Sequence, residues 1–520
     1  MTVPEAGAVP QQITVPDLLR ELVYLELAGK TKSVSVISSV TSDSREVLPG
    51  SLFVAVRGYC TDGHRFISSA EASGAAAVIC EEFPSDTTAS CVYIKVSDSR
   101  QALAVAARLF YGNAAEGLKI IGVTGTNGKT TTAKLITAIL NDNGISAGYI
   151  GTNLCSFAGR EIPLDRTTPE AHGLHALFSM MLEAGCKAAV MEVSSHALVL
   201  QRVYGIRFHA ALFTNLTMEH LDFHESMQEY ASAKQLLFDQ LGPDGFAVFN
   251  TDDPYARQMS ERVAPEKIYC CTMQDGHSPA SACRSRFEAE ILQSTIASST
   301  VSLHFPDQLI TMQVGLPGIF NVMNVLEAAA TGFGMGIAPQ DICRSLSAVS
   351  AIDGRMERIG GLGTGFSVFV DYAHTPDALF KALDALRTLK PEGSRLLVVF
   401  GCGGNRDKAK RPEMGRIASE TADEVIITSD NPRDEDPEDI LDEIERGIIT
   451  GAHYTRISDR SYAVRAAVSM LHHGDLLLVA GKGHEKYQEI AGRKEFFSDQ
   501  DLLKKYMQEN CSGYPAKELK

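Results

Sequence analysis

Short apolar runs alternate with helical patterns along most of the chain, and the rhythm is most regular at its rear. There the runs FSVFVDYA, RLLVVFGC, DEVIITSD and DLLLVAG are separated by DALFKALDALRTL, AKRPEMGRIASETA, PEDILDEIERGI and RSYAVRAAVSMLH. Apolar strands spaced by amphipathic helices predict a doubly wound parallel sheet. Further forward, Leu118 to Val123 reads as a buried parallel strand, as do CKAAVM ahead of Glu192 and the run from Ala210 to Leu216. A helix follows the first of these (AKLITAILNDNG), another carries Tyr230-Ala231-Ser232-Ala233-Lys234 and ends at LLFDQLG, and small residues (VLEAAATGFG) form a third. Near the N-terminus, ITVPDLLRELVYLELAG reads as one amphipathic helix, followed by short strands and turns. The expected fold class is α/β with three domains: residues 1–113, a central P-loop ATPase-type parallel sheet over 114–349, and a Rossmann-like doubly wound sheet over 350–520.

Length and charge narrow the function. A chain of 520 residues has room for roughly three domains at about 150 residues each. A net charge of −16 argues against a nucleic-acid partner, so anionic ligands must be held by local clusters. No apolar run reaches the length of a membrane span, and the N-terminal MTVPEAGAVPQQITVPDLL lacks the basic and apolar regions of a secretory signal. The 11 cysteines, Cys60 and Cys80 among them, show no C-x-x-C spacing, which reads as reduced thiol rather than a disulfide frame or zinc site. A cytoplasmic protein acting as a monomer on small molecules is the expectation.

The candidate chemistry starts where the first central strand ends. Gly125-Thr126-Asn127-Gly128 is a tight turn leading into Lys129, Thr130 and Thr131 at a helix start. Strand, glycine turn, Lys-Thr and helix together make a phosphate cradle, in which backbone N–H groups face the anion, the Lys reaches the outer phosphates and the Thr meets Mg²⁺. The spacing G-x-x-G-K-T is two residues shorter than the common P-loop, so a kinase or GTPase is not implied. Glu192 at a strand tip suits a second Mg²⁺ ligand. His220, Asp222 and His224 cluster as ligands do, and a zinc site or surface histidines account for them equally well. Thr167-Thr168-Pro169 reads as a plain turn, Lys234 as a solvated charge, and Asn321 and Asn324 as residues opening a helix. Four strand ends of the rear sheet carry polar tips: Asp371 to Pro376, Gly403 to Lys408, Asp430-Asn431-Pro432-Arg433 and Gly481 to Glu485. Ligands of open α/β sheets bind outside such ends, so one shared crevice is expected.

The phosphate loop TGTNGKTT resembles that of Mur ligases and folylpolyglutamate synthetases. The tips Y-A-H-T-P, G-C-G-G-x-R-D-x-x-K-R-P, D-N-P-R and G-K-G-H-E, with S-D-S-R near the N-terminus, are similar to the tripeptide-forming Mur ligases over about residues 42 to 499. The resemblance implies an ATP-dependent amide ligase of peptidoglycan precursor synthesis, with an N-terminal UDP-binding, a central ATP-binding and a C-terminal acceptor domain. Mg²⁺ would be held by Thr130, Glu192, His220 and Lys234, the last N-carboxylated by CO₂, a reaction that needs the neutral amine. ATP would take Gly125 to Thr131, Asn321 by the adenine, Arg355, Asp371 and His374, with Lys129, Lys234, His220 and Glu192 as catalytic residues. The UDP-muramoyl dipeptide would take Ser42, Ser44 and their neighbours Asp43 and Arg45, with His64, Thr167, Thr168, Ser194 and Arg202. The sequence departs from the family at Leu200, commonly Gln there, with Gln201 next to it. The acceptor would take Arg406, Asp430, Asn431, Pro432, Arg433, Gly481 and Glu485.

Charge bears on which acceptor that is. Two carboxylates need two cationic anchors, which Arg406 and Arg433 supply, and Glu485 offers an anion for a distal ammonium. In the family D-N-P-R goes with meso-diaminopimelate. Lysine or ornithine is the alternative acceptor, and a polyglutamate-type ligase the alternative reaction. The implied route runs through an acyl phosphate of the peptide carboxylate, with domain closure excluding water. A nucleotide-binding module without catalysis is the remaining class.

Overall fold

The computed structural model describes residues 10–30, 35–58, 61–87, 91–220, 223–274, 282–360 and 365–513, with side chains to residue 509. Three large sheets are arranged in chain order. The first has five strands in the order Glu26–Gly29, Val92–Lys95, Ala77–Cys80, Leu52–Val54, Val40–Thr41, all parallel except the first. That first strand corrects the sequence reading of one helix over ITVPDLLRELVYLELAG. The helix is only Val15–Glu21, closed at its start by a Thr14–Asp17 capping box. Residues beyond Leu22 gain more by pairing antiparallel with Val92–Lys95, which leaves Val23 and Leu25 exposed in the link.

The central sheet has eleven strands. It is parallel from Ser285–Ser294 through Ile268–Thr272, Leu241–Asn250, Phe208–Phe213, Lys119–Thr124 and Ala188–Glu192 to Ala147–Gly151. Antiparallel hairpins extend both edges, Leu154–Phe157 with Arg160–Pro163 and Ser299–Phe305 with Gln308–Val314. Apolar residues run continuously through Lys119–Thr124 because both faces are covered, by Lys129–Asp142 and Ile319–Gly334 on one side and Ala171–Glu183 on the other. The helix bearing Lys234 is Met227–Gln235, shorter than the pattern predicts. Phe238–Gln240 tightens into a 3₁₀ turn, and Leu241 already starts the next strand. Asn321 and Asn324 lie inside Ile319–Gly334, whose N-cap is Gly318.

The rear sheet runs in the order Glu357–Ile359, Ser367–Asp371, Leu476–Ala480, Leu396–Phe400, Glu424–Ile427, Tyr454–Arg456, parallel but for the first strand. The doubly wound expectation is met. No helix among the described residues is long and apolar enough to cross a membrane.

Candidate active site

The phosphate loop is braced from the neighbouring strand. Asn215 accepts the Thr126 N–H on its carbonyl (2.8 Å) and the Asn127 N–H on Oδ1 (2.9 Å), while the Thr214 hydroxyl donates to the Asn127 carbonyl at 2.6 Å. Gly125 is at φ 146°, and a Cβ there would collide with Thr214 Oγ1, so the tight approach excludes any other residue. Lys129 Nζ donates to the carbonyls of Gly125 (2.9 Å) and Thr126 (2.7 Å), and Lys234 Nζ reaches the same Gly125 carbonyl at 2.8 Å. Lys234 is therefore a buried neighbour of the loop, not the solvated charge its helix position suggests. Burial, with Lys129 nearby, pushes its ammonium well below the ordinary lysine range, and Glu219 opposes only in part.

Around the loop sits a carboxylate cluster. Thr130 Oγ1 donates to Glu192 Oε1 at 2.8 Å, Tyr149 OH donates to the same oxygen at 2.6 Å, and the Thr152 N–H adds a third bond at 3.1 Å. Arg355 Nη2 donates to Thr130 Oγ1 at 2.7 Å and its guanidinium stacks 4.6 Å from the Tyr372 ring centre. Glu219 lies 3.6 Å from His220 Nε2 and 3.5 Å from His374 Nε2. Burial alone would raise its carboxyl, but His220, His374 and Lys129 hold it far below the ordinary range. Burial pushes His220 down, toward the neutral imidazole. Among the described residues, no three of His, Cys, Asp and Glu come together as a ready metal cage. His224, by contrast, bonds Ser195 Oγ at 2.9 Å, and Asp222 lies outside the described residues, as does Cys60.

Two cavities of about 900 Å³ each open from this cluster and share Thr152, Thr167, Ser194, Glu219, His220, Tyr372, His374 and Arg406. The first follows Thr126 to Thr131 past Glu192, Arg355 and Asp371 to Asn321. The second is lined by Thr167, Thr168, Ser194 and Arg202 on the central side and by Arg406, Asp430, Asn431, Arg433, Gly481 and Glu485 from the rear sheet. Thus all four polar strand tips line the second cavity, which shares a wall with the cavity along the phosphate loop. Contacts tie the two sides: Asn127 Nδ2 donates to Asp377 at 2.7 Å, and His484 Nε2 lies 3.1 Å from the Thr152 carbonyl.

Several residues stand differently from their sequence reading. Thr168 is more than a turn former: its hydroxyl donates to the Glu192 carbonyl (2.9 Å) and accepts the Ser194 N–H (3.1 Å), while Arg202 Nη1 donates to the Thr168 carbonyl at 3.1 Å. Ser42, Ser44 and His64 line neither cavity. Both His64 ring nitrogens are engaged at home, Nδ1 with Asp62 (2.7 Å) and Nε2 accepting from Glu81 N–H (2.9 Å). Asp43 caps its own turn and binds Arg45; that bond first, against partial burial, holds its carboxyl low, with His172 of the central domain adding to the effect. Leu200 and Gln201 line neither cavity, and Gln201 sits at φ 57°. Glu485 is not an unpaired anion: Asn431 Nδ2 (3.0 Å) and Lys482 Nζ (3.3 Å) donate to Oε2, and Lys482 also lies 3.6 Å from Asp430. Arg433 is at φ 53°, with Nη1 on the Gly404 carbonyl at 2.8 Å and Nε 3.3 Å from Glu489. Sequence reasoning missed Glu219, Tyr149 and Thr152; only the position of Glu219 after a strand, beside His220, offered a signal.

Family models match in three consecutive stretches: "Mur ligase family, catalytic domain" over residues 36–111, "Mur ligase middle domain" over 123–332 and "Mur ligase, glutamate ligase domain" over 354–483. The UDP-N-acetylmuramoyl-L-alanyl-D-glutamate–2,6-diaminopimelate ligase of Chlorobium phaeobacteroides is 61% identical over 97% of this chain and 99% of its own. The chain belongs to the Mur ligase family. The ligase of the same name from Chlorobaculum tepidum is 58% identical over 94% of this chain and 96% of its own. A solved structure of a ligase so named, 30% identical, superposes with a TM-score of 0.66 over 96% of this chain and 100% of that one. In this Mur ligase the three family stretches fall on the three sheets, and the crevice lies between the middle and glutamate-ligase stretches.

Proposed function

We propose that this Mur ligase joins meso-diaminopimelate to UDP-N-acetylmuramoyl-L-alanyl-D-glutamate, converting ATP to ADP and phosphate through an acyl phosphate. The observation that carries the reading is that the cavity along the Thr126–Thr131 loop and the cavity at the Asp430–Arg433 tip open onto a common wall that includes Glu219, His220, His374 and Arg406. In this reading, residues 1–113 serve the UDP group, 114–349 ATP, and 350–520 the acceptor. Gly125 to Thr131, Asn321, Arg355, Asp371 and His374 bind the nucleotide. Thr167, Thr168, Ser194 and Arg202 hold the muramoyl peptide, with Ser42, Ser44 and His64 on the N-terminal domain.

The donor set fits Mg²⁺, which is usually held by one or two carboxylates with phosphate oxygens rather than by a closed protein cage. Thr130 and Glu192 supply adjacent oxygens, and burial biases both the His220 imidazole and the Lys234 amine toward their neutral forms, the form of the amine that CO₂ requires. These four residues would hold two such ions, which would supply positive charge beside the phosphates. Lys129 reaches the outer phosphates, and Arg355 neutralises charge from the rear domain. At the acceptor end Arg406 and Arg433 meet carboxylates. Asp430 and Glu485 share one ammonium, Lys482, so their pair keeps a negative charge for an amine of the substrate.

Phosphate release with the UDP-muramoyl dipeptide and ATP tests this. Diaminopimelate is expected to support turnover while lysine and ornithine do not; equal rates with lysine would refute the acceptor assignment.

A further inference from the structure

Close to the phosphate loop stands a tyrosine to which the reaction above gives no role. Ala147–Gly151 runs parallel to Ala188–Glu192, with Ala147 opposite Ala188 and Ile150 opposite Met191. Continued by one step, that register sets Gly151 beside Glu192, and Tyr149, two positions earlier, shares the face of Gly151. The Tyr149 side chain is 2% exposed and belongs to the same core as Ala133 and Ile136 of Lys129–Asp142. A Cβ on Gly151 would collide with both Tyr149 OH and Glu192 Oε1. The bare glycine therefore lets the phenol reach the carboxylate of the next strand, donating to Glu192 Oε1 at 2.6 Å.

The donors on Glu192 are unevenly shared between its two oxygens. Oε1 takes three: Tyr149 OH, Thr130 Oγ1 at 2.8 Å and the Thr152 N–H at 3.1 Å. Arg355 Nη2 donates to Thr130 Oγ1 at 2.7 Å, and since a guanidinium cannot accept, the Thr130 proton is free to go to Oε1. Oε2 has the Thr152 hydroxyl at 3.3 Å, which also lies 3.2 Å from Thr167 Oγ1. With about two lone-pair sites per carboxylate oxygen, Oε1 is filled and Oε2 keeps capacity for a cation. Thr130 lies at a helix start and Thr152 just past a strand end, so Tyr149 is the donor fixed inside the sheet, and it makes the shortest bond. Burial first, then the charge of Glu192 and the bond to it, pushes the phenol well above the ordinary tyrosine range, so it remains a donor.

We infer that Tyr149 is a positioning residue for the metal site: its hydroxyl holds Glu192 by Oε1 and so leaves Oε2 to Mg²⁺. The inference rests on the Mg²⁺ and ATP reading above. It adds no ligand and no step, because Tyr149 lines neither cavity and acts on the ion only through Glu192. A carboxylate already held by an outer hydrogen bond has its orientation fixed before the ion arrives; without that bond it must be ordered at binding. A tyrosine that only filled the core would matter to stability, and equally with and without metal.

Calorimetry on the full chain with ATP, once with Mg²⁺ and once in a metal chelator, tests this without acceptor or muramoyl substrate. The readout is the ratio of the two dissociation constants. In the wild-type chain the magnesium complex is expected to bind more tightly than metal-free ATP. Tyr149→Phe, which keeps the ring in the core, should weaken the magnesium complex about tenfold, the scale of losing an outer partner of a metal ligand, and leave metal-free ATP unchanged. Gly151→Ala, which keeps every polar group but puts a methyl against phenol and carboxylate, should move the ratio in the same direction. Should the phenylalanine variant not fold, Gly151→Ala decides alone. An unchanged ratio in either variant would overturn the inference, as would equal weakening with and without metal. If Mg²⁺ does not tighten ATP binding in the wild-type chain, the metal reading of the site falls first and takes the inference with it.

Discussion

Two buried lysines, one on each side of the crevice, have opposite surroundings. Lys234 is 1% exposed and touches the Gly125 carbonyl and the face of Tyr230, with Lys129 close enough to repel its charge. Lys482 is 0% exposed and its ammonium is met by Asp430, Asn431 and Glu485. One site therefore favours an uncharged, nucleophilic amine, and the other an ion cluster that shapes the acceptor end. Burial is common to both; the partners decide the chemistry.

Lys234→Met should give the largest effect. The kcat of the ligase is expected to fall about 10³-fold, or ~4 kcal/mol, because charge stabilisation at the phosphates is lost. Stability should hold or rise, since a poorly solvated amine is replaced by an apolar chain of similar shape. A variant that keeps its turnover would make the two lysines equivalent structural fillers. Lys482→Met should do the reverse and destabilise the fold by about 3 kcal/mol, because two carboxylates are left buried together. In thermal unfolding the lowest transition should drop by about 6 °C or more.

Arg433→Lys sharpens the acceptor side. An ammonium cannot reproduce the planar fork, so kcat/KM for diaminopimelate should fall about tenfold, ~1.4 kcal/mol, with the KM for ATP unchanged. The smallest effect is expected at His175, a third buried base without a counter-charge, packed edge-on against Phe178 and with Nδ1 unpartnered. Burial, with Arg108 adding, pushes its imidazole down to about 3. The unfolded chain then binds one more proton than the folded one below about pH 6.5, so stability is lost as pH falls. Between about pH 6 and pH 5 the loss from this residue should be about 1 kcal/mol, and His175→Leu should abolish it in urea titrations.

The alternating runs at the rear were legible because a strand buried on both faces reads as continuous apolar sequence, and each of FSVFVDYA, RLLVVFGC, DEVIITSD and DLLLVAG became the expected strand. Glu26–Gly29 was illegible, because its pairing with Val92–Lys95 overrides a local helical pattern. The hairpins on both edges of the central sheet were missed for a similar reason: antiparallel edges carry little periodic signal of their own. At the site, the phosphate loop and the four tips were readable as turns at strand ends. Glu219 and Tyr149 were not, since an acid in a loop or a tyrosine in a strand looks the same whether it faces solvent or a cavity.

The order of residues alone determined the α/β class, the phosphate loop and the polar tips, because short-range backbone geometry and apolar periodicity write themselves into neighbouring positions. Only the folded arrangement decided what surrounds each buried lysine. Lys234 and Lys482 are chemically identical, and what each touches, a carbonyl and a tyrosine ring or a pair of carboxylates, follows from partners distant along the chain, which no local pattern records.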